Sequence, residues 1–180
     1  MTLQEMKEKV YRMIEEYDEN ADELTNDPDF SAKINSVINQ IQNELSRYKK
    51  IPAYTTREVE KGQIINLKDI DNQIYQLNAI KEVEYTTLGK DIRFEEDGEA
   101  TITYFKYPKQ ITPETDDSYK FELSDDILEI MPYGVAGDLL KSDVSNNYGQ
   151  IYANRYRELL QQLDPRYDLG QIRFEGGIDV

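Results

Sequence analysis

Paired carboxylates are the residues in this chain best placed to do chemistry. Glu95-Glu96, Asp116-Asp117 and Asp125-Asp126 each set two acids side by side, and neighbouring carboxylates can hold a cation or work as an acid–base couple. Each pair also stands in turn or helix-start sequence, where a carboxylate accepts hydrogen bonds from backbone N–H groups. None has the spaced ligands of a calcium loop, and Asp69-Ile70-Asp71 lacks the remaining positions as well. These acids read as solvated turn and cap residues. No catalytic residue, metal or cofactor is assigned.

The side chains that would complete an active site are missing. The chain has no cysteine and no histidine. That removes thiolate nucleophiles, disulfides, cysteine-held zinc, the serine–histidine–aspartate triad and the usual general base near neutral pH. Glycines are scattered, without a GxGxxG after a strand pattern and without a phosphate loop. The expectation is a protein that is not an enzyme.

The formal net charge of −15 points the same way for nucleic acid. Phosphate binding draws its affinity from lysine and arginine displacing counterions, so an acidic surface lets DNA pass without sequence-specific binding. With 38% hydrophobic and 32% charged residues the core is small for the surface, yet fourteen tyrosines and five phenylalanines supply the large side chains that disordered chains lack. No run of about 18 apolar residues occurs, and the charged start MTLQEMKEKV does not read as a secretory signal. The expectation is a soluble protein with no membrane contact.

The elements that must position these residues follow from periodicity. Thr2-Leu3-Gln4-Glu5 fits a capping box, and Leu3, Met6, Val10, Met13, Ile14 and Tyr17 recur on one helical face that runs to about Asp22. After the turn sequence Thr25 to Asp29, a second helix carries Ile34, Val37, Ile38, Ile41, Leu45 and Tyr48, so residues 1–50 read as an antiparallel helical hairpin. Alternation of Thr, Tyr, Val and Ile then predicts four or five short antiparallel strands between about Tyr54 and Tyr107. Asp97-Gly98 reads as the hairpin turn between a strand through Ile92 and Phe94 and one through Ile102 and Tyr104. The β module is bounded at 51–123.

Residues 124–165 predict two helices that pack on the N-terminal pair. Leu123-Ser124-Asp125-Asp126 marks the start of the first, and Ile151, Tyr152, Tyr156, Leu159, Leu160 and Leu163 line the second until Asp164-Pro165 stops it. The first contains IMPYGVAGDLL, with Pro132, Gly134 and Gly137 inside an apolar helical face. Proline costs roughly 3 kcal/mol within a helix and glycine about 1 relative to alanine. Pro132 must therefore kink the helix or mark a break, and Gly134, Ala136 and Gly137 must admit a closely packed neighbour. That neighbour is the last helix of the same chain or a helix of an adjacent subunit. Residues 166–180 read as an extended tail whose Leu169, Ile172, Phe174 and Ile178 either lie across this subunit or stay disordered until a partner is present.

Tyrosine enrichment leaves two uses open. Tyr104, Phe105 and Tyr107 cover the sheet, whereas Tyr148, Tyr152, Tyr156 and Tyr167 either fill a loose core or serve as interface anchors.

The order of helical hairpin, small sheet ending in YFKYP, then LSDDILEIMPYGVAGDLLKSD and NNYGQIYANRYRELLQQLDPRY resembles the head–tail connector or adaptor proteins of tailed bacteriophages and prophages. The likeness is carried mainly by Tyr104 to Tyr167; Gly137 stands where alanine is common in that pattern. The resemblance implies an α+β fold and a virion protein that assembles in the bacterial host cytoplasm. Copies would form a ring under the portal protein, complete the DNA-filled head and present a surface to the tail or a tail-completion protein. Pro132, Gly134, Gly137, Tyr148, Tyr152, Tyr156, Tyr167, Leu169, Ile172, Phe174 and Ile178 are then the interface candidates. A tail-completion or other neck protein is the alternative reading. A DNA-mimic inhibitor is a more distant one, since the acids are spread over turns rather than spaced like phosphates on one face.

Overall fold

The computed structural model describes residues 1–14, 28–141 and 147–163. The fold is α+β, with helices α1 (Leu3–Met13), α2 (Pro28–Tyr48), α3 (Leu67–Ile70), α4 (Asp125–Leu128), α5 (Met131–Leu139) and α6 (Tyr148–Gln162). Six strands lie between α2 and α4: β1 (Ile51–Val59), β2 (Ile64–Asn66), β3 (Ile74–Lys81), β4 (Tyr85–Leu88), β5 (Asp91–Phe94) and β6 (Gly98–Lys106).

Two separate cores result. Leu3, Met6, Ile38, Leu45, Ile127, Met131, Val135 and Tyr156 belong to the helical core, while Val59, Ile92, Phe94, Ala100 and Ile102 belong to the β core. The capping box forms as the sequence requires, with Glu5 N donating to Thr2 Oγ1 at 3.2 Å and Thr2 N donating to Glu5 Oε2 at 2.8 Å. Both α1 and α2 pack on α5 more extensively than on one another, so the expected N-terminal hairpin is held together through a third helix. The continuation of α1 to Asp22 and the turn before Pro28 lie outside the described residues.

The strands form two three-stranded antiparallel sheets, ordered β1-β6-β3 and β2-β5-β4. The expected hairpin at Asp97-Gly98 is not one, because β5 and β6 belong to different sheets. Side chains of that turn instead tie neighbouring turns together. Asp97 Oδ1 accepts from Lys61 N at 2.6 Å, and Glu96 Oε1 accepts from Glu84 N at 2.7 Å. A strand switch of this kind covers both faces of a small core without long loops.

The segment 107–123, placed in the β module on its sequence, packs with the helices: Ile111, Phe121 and Leu123 are in the helical core. Asn39 on α2 clamps it, its Nδ2 donating to Ile111 O at 2.8 Å and its Oδ1 accepting from Ile111 N at 2.7 Å. The buried Gln42, one turn further along, donates to Lys109 O at 2.9 Å. The far end of the segment meets the N-terminus, where Leu3 N and Gln4 N donate to Tyr119 O and Asp117 O. The modules are also joined by Arg47, whose Nη2 donates to Tyr107 Oη at 2.7 Å.

Candidate interaction surface

Pro132 decides how the chain enters this region. It occupies the first turn of α5, where its missing N–H has no intrahelical acceptor to lose. Of the two outcomes expected at Pro132, a kink or a break, the structure has the break: the helix expected to bend there is two, α4 and α5, separated at Glu129–Ile130. Pro132 is buried at that junction.

The glycines of α5 face α6 and α2. A methyl placed on Gly134 would stand 2.9 Å from Tyr156 Cε2 and 3.2 Å from Ile41 Cδ1. One on Gly137 would stand 2.9 Å from the backbone nitrogen of Ala153. Gly149 on α6, unremarked in the sequence reading, repays the approach, since a methyl there would lie 2.9 Å from Leu140 O. Three glycines therefore set the spacing of α5 and α6. The closely packed neighbour left open by the sequence is the last helix of the same chain.

Tyr156 fills the space that Gly134 leaves. Burial pushes its phenol well above the ordinary tyrosine range, and the Glu44 carboxylate and Tyr48 push the same way. Its hydroxyl is buried and makes no hydrogen bond; Glu44 is turned toward it but falls short of bonding geometry. Tyr152 is half-buried and donates from its hydroxyl to Met13 O at 2.6 Å, tying α6 to the end of α1. Its ring stacks with Tyr148 at 6.5 Å and meets Tyr133 at 6.4 Å. Tyr148 is 44% exposed, and Ile151, read from the sequence as part of the helix's apolar face, is 54% exposed. These two sit side by side one turn apart.

Of the candidates named on the sequence, Pro132, Gly134, Gly137 and Tyr156 are thus committed to packing within the chain, Tyr152 partly so, and Tyr148 faces solvent. Tyr167, Leu169, Ile172, Phe174 and Ile178 lie outside the described residues. A groove of about 700 Å³ runs over the α5–α6 contact, with Gly137 and Ala153 in its floor and Gln40, Glu44, Lys141 and Arg157 among its walls. Its walls mix both charges with amides, and within it Lys141 Nζ pairs with Asp138 Oδ1 at 2.6 Å.

The acidic pairs have structural partners. Asp126 bonds Lys49 at 2.7 Å, which holds its carboxyl below the usual range. Asp117 bonds Lys7 at 2.8 Å, and Asp116 caps its own turn by accepting from Ser118 N. Asp71 accepts from Gln73 N and, at 3.3 Å, from the Tyr104 hydroxyl. Among the described residues no three histidine, cysteine, aspartate or glutamate side chains group to hold a metal, and no helix is long and apolar enough to cross a membrane. No protein-family model matches this chain, and comparison with curated proteins yields no match.

Proposed function

We propose that this chain is a structural virion protein, a head–tail connector or adaptor whose copies form a ring beneath the portal of a tailed bacteriophage. The ring would complete the DNA-filled head and offer the tail, or a tail-completion protein, its attachment surface. The observation that carries this reading is the α5–α6 contact. Two of the segments that bear the resemblance, YGVAGDLL and NYGQIYANRYRELL, meet across Gly134, Gly137 and Gly149. The motif is thus a packing motif, as a protein that works by fitting surfaces requires. The negative charge supports it as well, because an acidic wall does not retain DNA moving through a channel.

The test is assembly with portal rings. Electron microscopy and sedimentation of the protein mixed with purified portal should give added density at the narrow end of the portal and a heavier particle. No association, together with absence of the protein from purified virions, would end this reading.

A further inference from the structure

The tetrapeptide Ile-Arg-Phe-Glu occurs twice, at 92–95 and at 172–175. Its first copy begins in β5, the central strand of its sheet, where Ile92 is 1% exposed, Phe94 0%, and Arg93 points outward. This chain therefore uses the sequence as a strand with one apolar and one polar side. The second copy lies in the seventeen residues that follow Leu163, outside the described residues.

A strand edge suited to it is present. β1 is nine residues long and pairs with β6 in unbroken register from Ile51↔Lys106 to Val59↔Gly98. Among the described residues, the backbone of Ile51–Val59 bonds nothing but β6. The opposite edge, β3, is interrupted by two register shifts, and the edges of the other sheet are three and four residues long. Irregular and short edges resist strand addition, whereas a long regular edge invites it. The inward side chains Ala53 and Thr55 are only half-buried, while Ala100 and Ile102 on β6 are fully buried, so the β core is open along β1. A strand presenting Ile172 and Phe174 inward would cover it. Arg173 would then point outward, on the side of Tyr54, 74% exposed, and of exposed Glu58. A guanidinium can be received there by a ring face or by a carboxylate.

We propose that residues 171–175 of one copy add as a strand to the β1 edge of a neighbouring copy. Donor and acceptor surfaces differ, so the contact is head-to-tail and can close a ring. The choice of a neighbouring copy as donor rests on the ring reading above; the match of segment to edge does not.

Because the chain has no cysteine, full-length single variants Thr56→Cys and Arg173→Cys can be mixed and treated with a short bismaleimide crosslinker. The expected product is a covalent dimer formed in the mixture in at least fivefold excess over either variant alone, and a ladder of multimers from the double variant. Phe174→Asp should abolish both, with the melting temperature unchanged, and Gln76→Cys on β3 should not replace Thr56→Cys. The proposal is overturned if no product forms, if the double variant links only within one chain, or if the β3 position crosslinks as well as β1. Portal association measured on the same variants keeps the two readings apart: crosslinking without portal binding overturns the connector role, and portal binding without crosslinking overturns the strand.

Discussion

The backbone nitrogen of Ala153 lies 2.9 Å from where a methyl on Gly137 would stand, closer than packed atoms approach. A backbone atom cannot rotate aside, so α5 and α6 must separate before any side chain fits. Gly137→Ala gains about 1 kcal/mol of helix propensity and meets an overpacking cost of about 1 to 3 kcal/mol. The expected net effect is destabilisation by about 1 kcal/mol, read as a lower urea midpoint. Gly62 gives the contrast. It has open space around it and φ of +83°, so alanine there loses stability through backbone strain alone, roughly 1 kcal/mol. A raised midpoint for Gly137→Ala would refute the close-packing account.

Gly134 meets a side chain rather than backbone, and this makes its effect conditional. The nearest obstruction is the Tyr156 ring, with Ile41 Cδ1 next at 3.2 Å. Gly134→Ala should destabilise the native chain by about 1 kcal/mol, yet be close to neutral in a Tyr156→Ala background, where the gain in helix propensity is opposed by the Ile41 contact alone. The measurement is a double-mutant cycle by urea unfolding. Additive effects would show that the ring and the glycine do not share space.

The buried Tyr156 hydroxyl sets a pH dependence. Its folded pKa lies above the unfolded value because burial opposes the phenolate, with Glu44 adding to the effect. The folded state therefore keeps its proton where the unfolded state loses it. The associated stability is full below the unfolded value near pH ~10 and falls above it by about 1.4 kcal/mol per pH unit. Tyr156→Phe removes an unpaired buried hydroxyl, so near neutral pH it should be neutral or stabilising by about 1 kcal/mol. Above pH ~10 it should lose stability less steeply than the parent. Parallel stability curves between pH ~9 and ~11.5 would contradict this.

What the sequence made legible divides along the range of the interactions. The capping box at Thr2 and Glu5, the buried face Leu3-Met6-Val10 and the small-residue side of α5 are local patterns, and each appears in place. The Asp97-Gly98 turn misled because its dipeptide says nothing about which strands pair; that is fixed by the core each strand helps to close. The pairing of Asn39 with Ile111 and the placing of 107–123 on the helices had no local signal, since an asparagine on a helix looks the same whether it faces water or a distant backbone. Gly149 was legible in principle: it sits in a small–large pattern with Ala153 and Tyr156, and its partner is Leu140 O across the contact.

Asn39 carries a prediction of its own. It satisfies both the N–H and the C=O of Ile111, a residue 4% exposed. Asn39→Leu leaves both backbone groups buried and unpaired, at about 1 to 3 kcal/mol each. Thermal unfolding should show a loss of about 2 to 6 kcal/mol, and hydrogen exchange at Ile111 should accelerate. Asn39→Asp retains the acceptor for Ile111 N and should lose less. An equal loss for the two variants would show that burial, not the paired hydrogen bonds, governs this site.

The outward face of α6 links stability to the proposed role. Ile151 and Tyr148 are exposed at 54% and 44% one helical turn apart. An exposed change away from the core alters stability by less than about 0.5 kcal/mol, so Ile151→Glu should leave the melting temperature within about 2 °C of the parent. If this face meets the portal or the next copy, burying the introduced carboxylate against an apolar partner should weaken association tenfold or more, about 1.4 kcal/mol. Gln161→Glu adds the same charge at another exposed position of α6 and should change association less than twofold, which separates lost contact from general repulsion. Equal affinities for the two variants would remove this face from the assembly, and the connector reading would then need its contact surface elsewhere on the molecule.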